Sequence, residues 1–314
     1  MIKLVSAHLE VDIDPGRGAD ILTLRHRATD IDVLFSSPWR PRADAVRAGA
    51  PASTSDPFAG WLERYRGGWQ TLCPNAGAAR LVAGAPVGFH GEASVVEWEV
   101  VSAGQVEAEL RAELFSVPVR IDRTVTLGQD APVIEVIDTV TNLSDVPLDI
   151  DYVIHPAFGG PFLDGRCVLR TGAKRFTADP ETEDSIAAPG SEHSWPWIAG
   201  AGRDLREIPE PGERQVLFGW LSDFDTHWAS LTNVDLGLGV RIDWDGTHLP
   251  YAWLWQELNF TPTFPWFRRA RVVAIEPSST QTSGPSRRSA LRLAANQTVR
   301  IPMSLTLSTT EGAR

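Results

Sequence analysis

Apolar and polar residues alternate with a period of two along much of this chain. From Gln105 to Leu114, the residues Val106, Ala108, Leu110, Ala112 and Leu114 share one face, while Gln105, Glu107, Glu109, Arg111 and Glu113 share the other. Val117, Val119, Ile121, Val125 and Leu127 repeat the pattern, with Arg123 as its one break. Leu236, Leu238, Val240, Ile242 and Trp244 follow it again, as do Val299, Ile301, Met303, Leu305 and Leu307. A two-residue period turns one face of an extended chain inward and the other to water, so each stretch predicts a half-buried antiparallel strand. Turn-rich joints such as Ser102-Ala103-Gly104 separate them. No long stretch has a helical period; short helices are expected at most over Asp44–Ala48 and around Asp56–Arg64. The strands run on without a composition break, which predicts an all-β fold with a single β-sandwich domain over residues 1–314.

Three stretches break the alternation. Arg40–Gly60 is rich in Pro, Ala, Ser and Asp, Thr177–Arg214 is irregular and holds five prolines, and Pro277–Ser289 is rich in Ser, Thr and Pro. Connections of this length serve as binding loops or lids about as often as they merely decorate a surface.

Composition narrows the function. The chain has 314 residues, 43% of them hydrophobic, enough to bury a large core without covalent staples. A formal net charge of −11 argues against nucleic acid or an anionic membrane as the main partner. There is no membrane-length apolar run, and the N-terminus enters an alternating segment at once, so a cytoplasmic protein is expected. Cys73 and Cys167 are then expected to be reduced thiols. No CxxC or HExxH pairing calls for a metal. Twelve tryptophans stand against three tyrosines; an indole offers a wide apolar face with one donor, suited to the C–H face of a sugar as well as to a core.

Two of the seven histidines stand in notable settings. His90 lies in Val87-Gly88-Phe89-His90-Gly91-Glu92, and His155 in Ile154-His155-Pro156-Ala157-Phe158. Both are expected at strand ends beside glycine or proline, where a side chain can face a cleft. A third element is Arg271-Val272-Val273-Ala274-Ile275-Glu276-Pro277, an apolar strand expected to end at a carboxylate and break at proline. A glutamate buried there without a partner would be costly.

In order, Gly68-Trp69-Gln70, Pro74-Asn75, His90-Gly91, Asn142, His155-Pro156-Ala157-Phe158 and Ala274-Ile275-Glu276-Pro277 resemble the aldose 1-epimerase (galactose mutarotase-like) superfamily. The resemblance covers nearly the whole chain. It implies a large antiparallel β-supersandwich and interconversion of the α and β anomers of a free sugar, an isomerase reaction without a cofactor. By resemblance Glu276 is the general base at the C1 hydroxyl, His155 the general acid at the ring oxygen, and His90 a holder of sugar hydroxyls or a helper in ring-oxygen protonation. Elementary acid–base chemistry agrees with that division. A free glutamate, with a pKa of about 4.3, is ionised at neutral pH, and a histidine near about 6.5 can be kept protonated by a close carboxylate. The expected partner is a small-molecule sugar, and a homodimer is left open.

Further residues are candidates for binding the substrate. Asn75 and Arg80 follow the Gly-Trp-Gln segment, although Arg80 comes later than the family's sugar-binding arginine. Trp253 and Trp255 share one face of a strand whose polar end carries Glu257. Arg268 leads an arginine-rich run that would suit an anionic sugar, or equally an exposed edge. Two other functions stay open: a carbohydrate-binding protein without turnover, and a lyase or hydrolase on the same fold. The last needs another ionisable residue in the cleft, for which Glu257, Asp164 and His193 are candidates.

Overall fold

The computed structural model describes residues 1–46 and 51–309. Two large sheets dominate, and every strand pairing within them is antiparallel. The first has eleven strands. From one edge it runs Ile2–Val5, Leu9–Asp14, Asp20–His26, Trp69–Leu72, Val153–Phe158, Arg271–Ser278, Tyr251–Leu258, Gln215–Ser222, Arg175–Ala178 and Glu192–Ser194, with the short Ile31–Asp32 paired to Asp20–His26. The second has nine strands and is centred on Leu238–Trp244, Thr298–Thr309, Val133–Asn142 and Val119–Leu127. This is the antiparallel β-sandwich expected from the alternation.

The period-two stretches bury the faces they predicted. In Val119–Leu127 the odd positions are all buried, and in Thr298–Thr309 the residues Val299, Ile301, Met303, Leu305 and Leu307 turn inward. They join one hydrophobic cluster with Ile154, Leu254 and Ile275 of the larger sheet. Each fully buried aliphatic side chain contributes roughly 1.5–3 kcal/mol.

Arg123 breaks the apolar pattern yet lies on the same inward face. Its guanidinium donates to both carboxylate oxygens of Asp138, at 2.7 and 2.8 Å, and to the Thr71 hydroxyl, and it sits 4.8 Å from the centre of the Trp98 ring. The Tyr152 hydroxyl also donates to Asp138, at 2.5 Å. A buried charge is tolerated when it is paired and hydrogen-bonded like this.

Helix is sparse. Pro57–Leu62 falls inside the expected 56–64 stretch; Asp56 caps it by accepting from the Ala59 N–H at 2.7 Å, and Pro57 occupies the first turn. A second short helix is Arg40–Ala45, earlier than the expected 44–48; residues 47 and 48 lie outside the described residues. The segment Thr177–Arg214, read as irregular, contains the short strands Glu192–Ser194, Trp197–Ile198, Arg203–Asp204 and Glu207–Ile208. These are two or three residues long, too short to show a period. Cys73 and Cys167 are buried free thiols, and no helix among the described residues is long and apolar enough to cross a membrane.

The middle of the eleven-stranded sheet is covered on both faces. Ile154, Leu254 and Ile275 meet the other sheet, whereas Trp61, Leu62, Tyr65 and Trp266 form a second apolar layer against Ala157 and Ala274 on the opposite face. The candidate residues His155 and Glu276 leave the sheet on this second face, in step with Ala157 and Ala274.

Candidate active site

Strand Val153–Phe158 runs between Trp69–Leu72 and Arg271–Ser278. Its register pairs Val153 with Ser278 and Ala157 with Ala274, which sets His155 opposite Glu276. On the outer sides His155 pairs with Gln70 and Glu276 with Trp253. Directly opposed residues leave a sheet on the same face, so imidazole, carboxyl and indole project together. His155 Nε2 and Glu276 Oε1 are 3.4 Å apart.

Neither residue is at a strand end. Glu276 was expected to end its strand, but the strand continues through Pro277 to Ser278, and His155 is mid-strand. Pro156 and Pro277 cannot donate to the ladder, and the paired positions between the two strands resume only on either side of the His155–Glu276 pair.

Above the pair is a cavity of about 540 Å³. His90, His155 and Glu276 line it with an aromatic wall that includes Trp61, Tyr65, Trp253, Trp255 and Trp266. The helix Pro57–Leu62 delivers Trp61, and Tyr65 follows four residues later, stacked on it with ring centres 4.8 Å apart. The rings of His90 and His155 are 5.9 Å apart, and His155 lies 6.2 Å from both Tyr65 and Trp255. A few convergent polar groups inside apolar walls are the usual makeup of a small-molecule site.

Burial controls the protons here. It pushes the Glu276 carboxyl well above the ordinary carboxylate range and His155 down to about 4. Burial thus favours the protonated carboxyl and the neutral imidazole over their charged forms. Both shifts run against the ionisation expected from the free side chains, with desolvation as the leading cause. Burial also holds His90 well below its usual value. Its Nδ1 accepts the Gly77 N–H at 2.9 Å, which fixes the neutral tautomer with hydrogen on Nε2. His90 is thus a donor. Tyr65 OH, His155 Nδ1 and Glu276 Oε2 are all buried without a hydrogen-bond partner. Such groups are rare in a finished core and suit a site that a ligand completes.

The remaining sequence candidates divide. Trp253 and Trp255 line the cavity, with the Trp253 N–H donated to the Thr280 carbonyl at 2.9 Å. Asn75, Arg80, Glu257 and Arg268 do not line it. Asn75 Nδ2 donates to the Gly88 and Ala78 carbonyls, at 2.8 and 3.0 Å, and so fastens the loop that carries His90. Arg80 donates to Asn75 Oδ1 and to Asp151, both at 2.8 Å. Glu257 accepts from the N–H groups of Phe260 and Thr261 and from the Thr261 hydroxyl, shaping the turn after its strand. Arg268 is exposed, and its neighbours Arg269 and Arg271 are committed to the Trp39 ring and to the Leu163 and Pro209 carbonyls. Asp164 and His193 do not line the cavity either.

Trp61, Tyr65, Trp266 and Asp179 line the cavity without having been singled out in the sequence. The i, i+4 spacing of Trp61 and Tyr65 beside a capped Asp-Pro start was a readable signal. Asp179, inside an irregular proline-bearing stretch, offered none. Among the described residues, no group of three or more His, Cys, Asp or Glu is placed to share a metal ion.

Known proteins match this chain at two levels, by family model and by fold. A family model described as Domain of unknown function (DUF4432) matches residues 1–305. No curated protein matches the sequence. Among solved structures, a galactose mutarotase-like protein from Lactobacillus casei is 15% identical, with 98% of this chain and 100% of that chain covered at a TM-score of 0.67. A galactose mutarotase-like protein from Clostridium acetobutylicum is 13% identical, with 98% and 95% covered at 0.70. A candidate aldose 1-epimerase from Escherichia coli K12 is 16% identical, with 98% and 99% covered at 0.70. At such identities the likeness is one of fold.

Proposed function

This chain belongs to the DUF4432 family, and from that premise we propose that it interconverts the α and β anomers of a monosaccharide, with His155 and Glu276 as the acid/base pair. The carrying observation is the 3.4 Å approach of His155 Nε2 to Glu276 Oε1 on the floor of an aromatic-walled cavity. We read residues 1–314 as one domain built around this site.

Opening a sugar ring requires a proton to leave the C1 hydroxyl as another reaches the ring oxygen. A pair that shares one proton can do both. Burial favours that proton on Glu276. Its transfer to the facing imidazole gives carboxylate and imidazolium without changing the net charge of the pair. Glu276 then takes the C1 proton, His155 protonates the ring oxygen, and the ring opens to the aldehyde. Rotation about C1–C2 and the reverse steps close it as the other anomer. His90, fixed as an Nε2–H donor, would hold a ring or hydroxyl oxygen. Trp61, Trp253 and Trp255 would pack on the C–H faces of the sugar. Each positioned acid or base supplies roughly 10²–10⁴-fold.

A pure binding role accounts less well for the site. A carboxyl sealed on the sheet face with one oxygen unpartnered costs stability, which binding alone does not require. The test is NMR exchange spectroscopy on freshly dissolved α-sugars. Anomer exchange should exceed the uncatalysed rate for at least one aldose, and Glu276→Gln should abolish the excess. No acceleration with any aldose, or full activity in Glu276→Gln, overturns the proposal.

A further inference from the structure

The cavity has a second polar end. Asp179 follows the strand Arg175–Ala178, and its N–H bonds the Phe218 carbonyl at 2.9 Å, which carries the row of the sheet containing Trp255 one residue further. Its strand lies three strands from that of Glu276, on the order of 14 Å at the backbone. The two carboxyls thus line one hollow from strands that far apart. Asp179 is only 2% exposed. Its Oδ2 accepts from the Glu181 N–H at 3.0 Å and the Thr182 hydroxyl at 3.1 Å, while the buried Oδ1 makes no well-formed hydrogen bond, with the Ser283 N–H close enough to act on the carboxyl.

The two charged side chains that line this end are both acidic. Besides Asp179, the exposed Glu181 lines the rim, against Gly284, where an added Cβ would come within 2.3 Å of Glu181 Oε1. Among the described residues, no arginine or lysine lines the cavity. Arg287 lies behind the loop, near enough to feel the Glu181 charge, but its hydrogen bonds go to Asp151, Asn75 Oδ1 and the Ser283 and Gly284 carbonyls. The arginine-rich run at Arg268–Arg271 is directed elsewhere, so the structure gives no support to an acidic sugar.

We infer that Asp179, with Glu181 at the rim, is the specificity-determining end of the site: it accepts hydrogen bonds from hydroxyl or amino groups remote from the anomeric carbon and rejects sugars carrying a carboxylate or phosphate there. This rests on the proposed sugar-ring function. A carboxylate oxygen has acceptor capacity only, so a ligand atom meeting Oδ1 must bring a proton, and a second anion brought to a dry carboxylate is repelled with little screening.

The test is a panel of glucose, galactose, glucosamine, glucuronate, galacturonate and glucose 6-phosphate, followed by anomer exchange and, separately, by tryptophan fluorescence on binding. Neutral and amino sugars should be preferred over the acidic ones by about tenfold or more in both readouts. Asp179→Asn should raise KM or Kd for the preferred sugars, and Glu181→Gln, on the exposed rim, should narrow the neutral-to-acidic ratio several-fold with an unchanged melting temperature. Acidic sugars handled as well as their neutral parents, or a ratio unmoved in both variants, overturns the inference while leaving ring chemistry intact. Failure of exchange with every sugar overturns the proposed reaction instead, and the binding preferences still decide the role of Asp179.

Discussion

His155 and Glu276 face each other across adjacent antiparallel strands, their side chains 3.4 Å apart, with a proline beside each on its own strand. The sheet therefore fixes their spacing, and no flexible loop has to bring them together. Truncating either should damage chemistry far more than the fold. Glu276→Gln and His155→Gln are each expected to lower kcat for anomer exchange by about 10²–10⁴-fold, with KM changed much less. A kcat within a few-fold of the parent in either variant would remove that residue from the chemistry.

The same pair predicts a pH signature in stability. Burial raises the Glu276 carboxyl in the folded chain well above its unfolded value. The folded state then binds this proton more tightly, so its contribution is fully present below the unfolded pKa and is lost as pH rises towards the folded one. His155 has the opposite sense. Its folded value of about 4 lies below the unfolded one, near the ordinary 6.5, so the folded state gains from about pH 4 upward until the free histidine has also lost its proton. Glu276→Gln removes the first effect alone. The variant should melt higher than the parent at neutral pH, and the gap should close below about pH 4.5. Thermal unfolding across pH 4–8 reads this directly, and a variant less stable than the parent at pH 7 would mean that the carboxyl is held ionised.

His90 yields a third expectation. Its Nδ1 is occupied by the Gly77 N–H, at 2.9 Å, and burial keeps the ring neutral. It should therefore bind oxygen without titrating. His90→Phe should reduce kcat/KM by about tenfold or more, the scale of one lost hydrogen bond in a dry site. It should leave the shape of the pH–rate profile unchanged. Loss of an inflection in that profile would make His90 a proton carrier.

The sequence disclosed the fold and the facing pair because both depend on local pattern. Period-two alternation needs only burial of one face, and His-Pro and Glu-Pro are contiguous motifs. Arg123 looked like an error in its strand because its partners Asp138 and Thr71 lie on other strands. Asn75, Arg80 and Glu257 looked like sugar ligands because they are polar residues near motif positions. Their acceptors and donors turned out to be the protein's own loops, a pairing set by chain crossings that no single stretch reveals. Asp179 was missed for the converse reason, since an acid in a proline-bearing loop resembles solvated surface until the loop is seen folded over the cavity.

That distinction can be measured at the loop behind His90. Asp151 Oδ2 accepts from the Ala76 N–H at 3.1 Å, from Arg80 at 2.8 Å and from Arg287 at 3.0 Å. Asn75 Oδ1 receives both arginines as well, while its amide holds Gly88. Asp151 is fully buried and Arg287 nearly so. Removing the carboxylate leaves two guanidiniums without their anion, so Asp151→Asn should cost on the order of 3–5 kcal/mol in chemical denaturation. None of these groups lines the cavity, so kcat measured on protein that remains folded should stay within a few-fold of the parent. Glu257→Gln should behave alike with a smaller loss, because the turn it holds is at the surface. A collapse of kcat in either variant with little change in the denaturation midpoint would return these residues to the sugar site and redraw its boundary.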